Sequence, residues 1–151
     1  MIDFETFPTD QDPLKLIESI NHVRRQHDSL YLLKIMAEIS GKDARVWGED
    51  NIGFDEYQYV YKTGKTGVWP IISFTPSIEN ISINVLNGFK DYESSLTKIG
   101  AVKHTPNTLI LYKLSDINKP ALEKFIKRVF HDIQKAHKAC KNLNFILVNT
   151  I

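Results

Sequence analysis

Residues 118–136 read NKPALEKFIKRVFHDIQKA and contain the clearest helix signal of the chain. Asn118 suits a helix N-cap, and Pro120 suits a first helical turn because its missing N–H needs no partner there. Apolar residues then recur three and four positions apart, which places them on one face of a helix. They are Leu122, Phe125, Ile126, Val129, Phe130, Ile133 and Ala136. The pattern predicts a long C-terminal helix with one face packed on a core.

Upstream of this helix, several segments have the patterns of strands and turns. Runs rich in β-branched and aromatic residues predict strands, and Gly, Asn and Pro between them predict turns. The predicted strands are Tyr57–Tyr61, Val68–Thr75, Ile81–Leu86 and Thr108–Tyr112. Residues 63–67 predict a hairpin turn between the first two, and Tyr92–Ile99 predicts a short helix closed by Gly100.

Two helices are predicted before the strands. Asp12-Pro13 signals the start of the first, whose apolar face extends to His27 and whose last turn holds two arginines. The second is predicted to begin at Asp28 or Ser29 and to end before Gly41. Its apolar residues cover more than one stripe, so we expect it to be buried on two sides.

This order of elements is typical of an α+β domain. We expect a single domain with a mainly antiparallel sheet of about five strands, on which the N-terminal helices and the long C-terminal helix pack. Residues 1–11 are predicted to form an arm anchored by Phe4 and Phe7, and residues 12–140 to form the domain. Residues 141–151 are an apolar tail that would aggregate if it were exposed, so we expect it to be docked or paired as an extra strand.

Composition excludes several classes of protein. The chain has 151 residues, 42% hydrophobic and 25% charged, which excludes disorder and collagen-like repeats. A formal charge of +1 argues against nucleic acid or an anionic membrane as a partner. Cys140 is the single cysteine, so no internal disulfide forms, and the acidic N-terminus is unlike a signal peptide. We therefore expect a cytoplasmic location.

No sequence motif points to catalysis. Gly64-Lys65-Thr66 resembles the end of a phosphate-binding loop, but Tyr59 stands where that motif needs a glycine, so a hairpin turn is the better interpretation. The histidine spacings place no two rings on one helix face, which argues against a zinc site. We expect no catalytic residues and no enzyme activity.

Polar-tipped aromatic residues predict a small-molecule pocket. Tyr57 and Tyr59 share a face of one predicted strand, Trp69 lies on the next, and Trp47 lies shortly before them. Rings of this kind are frequent pocket liners. We expect Lys103, His104 and Lys113 to lie at the mouth and to favour a negatively charged group. The alternative interpretation is that these aromatic residues are simply core and sheet surface.

Acidic residues form a second candidate site. A hard cation prefers carboxylate oxygens, and carboxylates are frequent in the N-terminal part of the chain. The candidate ligands are Asp10, Asp12, Glu18, Glu49, Asp50, Asp55 and Glu56. The alternative interpretation is cap and turn chemistry, where carboxylates are common in any protein.

Basic residues on the C-terminal helix form a third candidate. Spacings of three and four place them opposite the apolar stripe, where an acidic protein partner could bind. They are Lys124, Lys127, Arg128, His131, Lys135 and Lys138. The alternative interpretation is a solvated helix face.

The spaced aromatic residues and glycines resemble the YdhG-like family, also called the domain of unknown function 1801. The resemblance covers roughly residues 12–138 and is carried by these segments: Trp47-Gly48, Gly53-Phe54, Tyr57–Tyr61, Gly64, Gly67–Pro70, Phe74–Pro76, Gly88-Phe89, Asp91-Tyr92, Ile99-Gly100 and Leu114–Ile117. It implies a bacterial, cytoplasmic α+β domain. Some relatives are described as frataxin-like iron chaperones, which implies iron as the cation for the acidic residues.

The chain departs from the family at two basic segments. Relatives often carry Phe-Ser-Pro-Arg-Lys where this chain has residues 74–78, and a Lys- and Gly-rich stretch where it has residues 100–107. These departures weaken a basic anion site of the relatives' kind. The leading hypothesis depends instead on the density of polar-tipped aromatic residues on consecutive strands: a non-catalytic domain that binds a small ligand between them. The alternatives are an iron-binding chaperone and a protein-interaction module that uses the basic helix face.

Overall fold

The computed structural model describes residues 7–61, 66–142 and 147–148, with side chains for residues 7–58 and 67–137. Its helices are α1 (Pro13–Glu18), α2 (Val23–Ser40), α3 (Glu93–Ile99) and α4 (Lys119–Asn142). Its strands are β1 (Arg45–Trp47), β2 (Asn51–Phe54), β3 (Tyr57–Tyr61), β4 (Thr66–Trp69), β5 (Ile72–Pro76), β6 (Ile81–Val85), β7 (Lys103–His104), β8 (Thr108–Leu111) and β9 (Leu147–Val148). No helix in this described part is long and apolar enough to cross a bilayer.

The strands of the described residues form two sheets. The larger is antiparallel and has six strands in the order β1-β2-β5-β6-β8-β7. The smaller has the order β4-β3-β9, in which β3 pairs antiparallel with β4 and parallel with β9. The predicted α+β class with an antiparallel sheet is confirmed, although the larger sheet has one strand more than expected. The C-terminal apolar tail contributes β9, paired at Val60 and Tyr61.

The core lies between one face of the larger sheet and the helices. Strand register aligns Ile52, Phe74, Ile83 and Leu109 in one row across four strands, and each is at most 2% exposed. α2 contacts β2 and β5, while α4 contacts α2, α3, β3 and β5. The predicted apolar face of α4 is buried from Leu122 to Ile133. Ala136, predicted to continue it, is exposed, because His137 takes the next inward position.

The boundary between the first two helices was predicted wrongly. α1 ends at Glu18 and α2 already begins at Val23, so His27 belongs to α2, and its side chain is 80% exposed rather than on a buried face. The cause is an N-cap that the sequence pattern did not reveal. His22 Nδ1 accepts the Arg25 backbone N–H at 3.0 Å and so satisfies one of the unpaired donors of the new helix.

The predicted strand over Val68–Thr75 was also wrong, because it is two strands in two sheets. β4 ends at Trp69, and β5 begins at Ile72 in the larger sheet. Pro70 lies at the break, where its missing N–H could not continue a ladder. The hairpin between β3 and β4 is confirmed, with Tyr57 opposite Trp69; its predicted turn at residues 63–67 lies mostly outside the described residues.

The N-terminal arm is attached through its backbone. Thr9 N–H donates to Val46 O at 2.8 Å, and Gly48 N–H donates to Phe7 O at 3.1 Å. The Phe7 side chain, expected to be an anchor, is 58% exposed, and Phe4 lies outside the described residues. The arm therefore covers the open edge of β1, which would otherwise present unpaired backbone groups.

Candidate functional site

The two tryptophans of the predicted pocket are packed against each other. The Trp47 and Trp69 ring centroids are 6.5 Å apart, and the residues are 2% and 8% exposed. Tyr57 lies opposite Trp69 across the hairpin, and its ring centroid is 4.9 Å from that of His137 on α4. The structure thus brings together three of the four predicted aromatic residues, which pack against one another and against α4. The Tyr59 side chain lies outside the described residues.

The predicted basic residues do not lie beside these rings. Lys103 and His104 form β7, which is the edge strand opposite β1. Five strand spacings separate the two edges, roughly 24 Å at about 4.8 Å per spacing. The His104 ring packs on Phe89 at 4.5 Å instead, and Lys113 is exposed beyond the end of β8. The expectation that they form the mouth of an aromatic pocket is corrected by the strand order, which sequence does not reveal.

The predicted acidic residues are dispersed. All of them lie within the described residues, among which no three Asp, Glu, His or Cys side chains come close enough to hold a metal ion. Asp12 accepts the Leu14 N–H at 2.9 Å as the N-cap of α1, and Asp55 Oδ1 accepts the Glu56 N–H at 2.8 Å. These two contacts are the cap and turn chemistry of the alternative interpretation.

The basic face of α4 is partly engaged within the protein. Lys124, Lys127, His131 and Lys135 are exposed, whereas the Lys138 side chain is not described. Arg128 lies 4.9 Å above the Tyr92 ring. Its guanidinium also donates to Ser95 Oγ at 3.4 Å and lies 3.9 Å from Asp132 Oδ2.

The Tyr92 hydroxyl is part of the same network. Tyr92 is 1% exposed, donates to Asp132 Oδ2 at 2.8 Å and accepts from Asn87 Nδ2 at 2.7 Å. Burial, together with the hydrogen bond to Asp132, raises the pKa of Tyr92 to about 12 despite the opposing contact with Asn87. This network holds α4 to the segment before α3.

A cleft between α2 and α4 was not foreseen as a site. It encloses about 380 Å³, and it is lined by Ile35, Glu38, Ile39, Pro120, Glu123, Lys124 and Lys127. The sequence pattern predicts its apolar residues on a helix buried on two sides and its lysines on the basic face of another helix. Only the packing of α2 on α4 brings these two sets together.

No protein-family model, curated protein or solved structure matches this chain. The resemblance to the YdhG-like family therefore stays a prediction, and the functional argument depends on the residues of this chain alone. The α2–α4 cleft combines an open volume with both apolar and charged linings.

One end of the cleft is fixed by Tyr31. Its hydroxyl donates to Glu123 Oε1, and Lys119 Nζ lies 5.0 Å from the centre of its ring. Burial and the neighbouring Glu123 carboxylate raise the pKa of Tyr31 to about 12. The hydrogen bond links α2 to α4 and holds the Glu123 carboxylate in place.

Tyr31→Phe is expected to lower the free energy of unfolding by about 1 kcal/mol at neutral pH, since one hydrogen bond to a charged acceptor is lost. The folded pKa of about 12 lies above the ordinary value of 10.0, so the contribution is complete below pH 10 and is lost as pH rises through 12. Urea unfolding of both proteins from pH 7 to 12 measures the difference. The two curves should converge at the alkaline end; a constant gap would contradict this assignment.

Proposed function

We propose that this chain is a non-catalytic domain that binds a small molecule in the α2–α4 cleft. The observation that supports this most directly is the cleft itself, at about 380 Å³. Small-molecule pockets usually measure about 300–1,000 Å³ and combine an apolar lining with a few polar groups. A cytoplasmic location and membership of the YdhG-like family belong to the same proposal, supported by the single cysteine and by the spaced aromatic residues and glycines.

The lining of the cleft has the composition that such a site needs. Ile35 is 6% exposed, and Ile39 is half-buried, so the two form an apolar floor. Glu38, Lys124 and Lys127 are exposed and surround this floor with charge. By contrast, the Trp47 and Trp69 rings are buried against each other and leave little surface for a ligand. For this reason we place the ligand in the cleft.

The two alternatives from the sequence have less support. The iron hypothesis requires the acidic residues to converge, and those described do not. The interaction hypothesis requires a free basic face, but Arg128 is held by Tyr92 and Ser95. Both stay predictions.

Amide chemical-shift mapping of a fragment library on the labelled protein tests the proposal. We expect the perturbed amides to cluster at the cleft-lining segments of α2 and α4. Ile39→Arg should weaken binding of the best fragment at least ~10-fold, about 1.4 kcal/mol, because it places a charge on the apolar floor. The matched control is Leu30→Arg, which introduces the same group on α2 at a residue already 44% exposed.

Two results would overturn the site. Perturbations clustered around Trp47 and Trp69 would instead support the aromatic pocket. Fragments that bind equally well to wild type and Ile39→Arg, with unchanged melting temperatures, would show that the cleft is not where they bind.

A further inference from the structure

We infer that the ligand of the α2–α4 cleft is a zwitterion with an apolar body, which is the chemistry of a hydrophobic amino acid. This inference rests on the proposed function and adds the class of ligand. It depends on three features of the cleft: charges of both signs that form no ion pair within the protein, two helix ends that line the cleft, and an apolar floor.

The charges at the rim are not used by the protein itself. Among the residues with described side chains, Glu38, Lys124 and Lys127 form no ion pair. Glu123 is different, because its carboxylate accepts a hydrogen bond from the Tyr31 hydroxyl. The cleft therefore offers one free carboxylate and two free ammonium groups. A ligand with a single charge would leave one sign without a partner.

The two signs come from opposite ends of two helices. Glu38 and Ile39 lie in the last turn of α2, whereas Pro120, Glu123 and Lys124 lie in the first turns of α4. A helix dipole places partial negative charge at its C-terminus and partial positive charge at its N-terminus. The α2 end thus adds to the attraction of Glu38 for an ammonium group. The α4 end itself favours a carboxylate near Pro120, and Lys124 and Lys127, in the following turns, add two full positive charges.

The apolar floor of the cleft selects for an apolar body. Ile35 and Ile39 lie one helical turn apart on α2, and Pro120 faces the same cleft from α4. Each methylene group of a ligand buried here should strengthen binding about 4-fold, about 0.8 kcal/mol. A branched aliphatic side chain is therefore expected to add to binding, whereas glycine, which has no side chain, should bind weakly.

Three molecules with one branched aliphatic body separate the contributions of charge. L-leucine carries both charges, 4-methylpentanoate only the negative one and 3-methylbutylamine only the positive one. Amide-shift titrations of the whole protein should give L-leucine an affinity at least ~10-fold above that of either analogue, about 1.4 kcal/mol. Glycine is the control that carries both charges but no apolar side chain.

Charge reversal at the rim tests the assigned roles. Lys127→Glu should remove most of the preference for L-leucine over the amine, and Glu38→Lys should remove most of its preference over the carboxylate. Lys135→Glu is the matched control, because Lys135 is also exposed on α4 but does not line the cleft. These are exposed positions, and unchanged melting temperatures would show that the variants remain folded.

The outcomes distinguish the two levels of the proposal. Equal affinity for 4-methylpentanoate and L-leucine in the cleft would overturn the zwitterion and leave small-molecule binding intact. The zwitterion would also be overturned, and small-molecule binding left intact, if another fragment shifted the cleft amides and none of these four molecules did. No binding to the cleft by any compound would overturn both.

Discussion

Gly53→Ala is expected to destabilise the protein by about 3 kcal/mol or more, because the site has no room for a methyl group. A Cβ at this position would lie 2.5 Å from Pro70 Cβ and 2.8 Å from Trp47 Cδ1. Both neighbours are buried, and the Trp47 ring is fixed against Trp69. To make room for the methyl group, both the Trp47 ring and Pro70, in the segment that joins the two sheets, would have to move away from β2. Urea unfolding gives the loss directly.

Two further variants show that crowding is the cause. Gly41→Ala tests backbone strain alone, since Gly41 has a φ of +68° and no atom lies within 4 Å of an added Cβ. This substitution should lower the free energy of unfolding by about 1–2 kcal/mol. Pro70→Gly removes the nearest atoms, so the double variant with Gly53→Ala should be less destabilised than the sum of the two single variants. Strict additivity, or a Gly53→Ala loss no larger than that of Gly41→Ala, would contradict the steric explanation.

Arg25→Met is expected to cost about 3 kcal/mol, because it removes a buried cation that binds three backbone carbonyls. Arg25 is 5% exposed. Its Nη1 donates to Tyr112 O at 2.7 Å, and its Nη2 donates to Glu79 O at 3.2 Å and Ile78 O at 3.4 Å. The side chain thus connects α2 to the β5–β6 turn and to the end of β8. Methionine retains much of the volume and loses all the donors.

The neighbouring arginine provides the control. Arg24 is exposed and has one 3.4 Å contact, with Ser115 Oγ, so Arg24→Met should change the free energy of unfolding by at most about 0.5 kcal/mol. Arg25→Lys should lower the free energy of unfolding by more than Arg24→Met and by less than Arg25→Met. One ammonium group cannot reach three carbonyls with the geometry of the planar guanidinium. Equal effects of the two methionine variants would show that the buried contacts contribute little.

The sequence predicted elements whose signal is local and periodic. α4 and β6 were found close to their observed bounds, as was α3, because their apolar periodicity and closing residues extend over several positions. β1 and β7 have three and two residues, too few for a period to appear. The start of α2 was missed because His22 is not among the usual capping residues.

The candidate site could not be predicted in the same way, because it depends on which elements become neighbours. The lysines on α4 were identified as exposed, and Ile35 and Ile39 as buried, but their juxtaposition follows from helix packing. Helix packing brings the cleft residues together, whereas strand order separates Lys103 and His104 from the tryptophans by placing them on the far edge of the larger sheet. The role of Arg25 was hidden for the same reason, since its partners are 53, 54 and 87 positions away in the chain.

The position of α4 has a consequence for the synthesis of this protein. α2 contacts β2 and β5, but α4 also packs on β5 and on both α2 and α3, so the cover of the apolar row at Ile52, Phe74 and Ile83 is complete only once Ile133 has been synthesised. At a translation rate of about 5–20 residues per second, the nascent chain exposes these residues for seconds. We therefore expect the sheet to reach its final packing only after α4 has been synthesised.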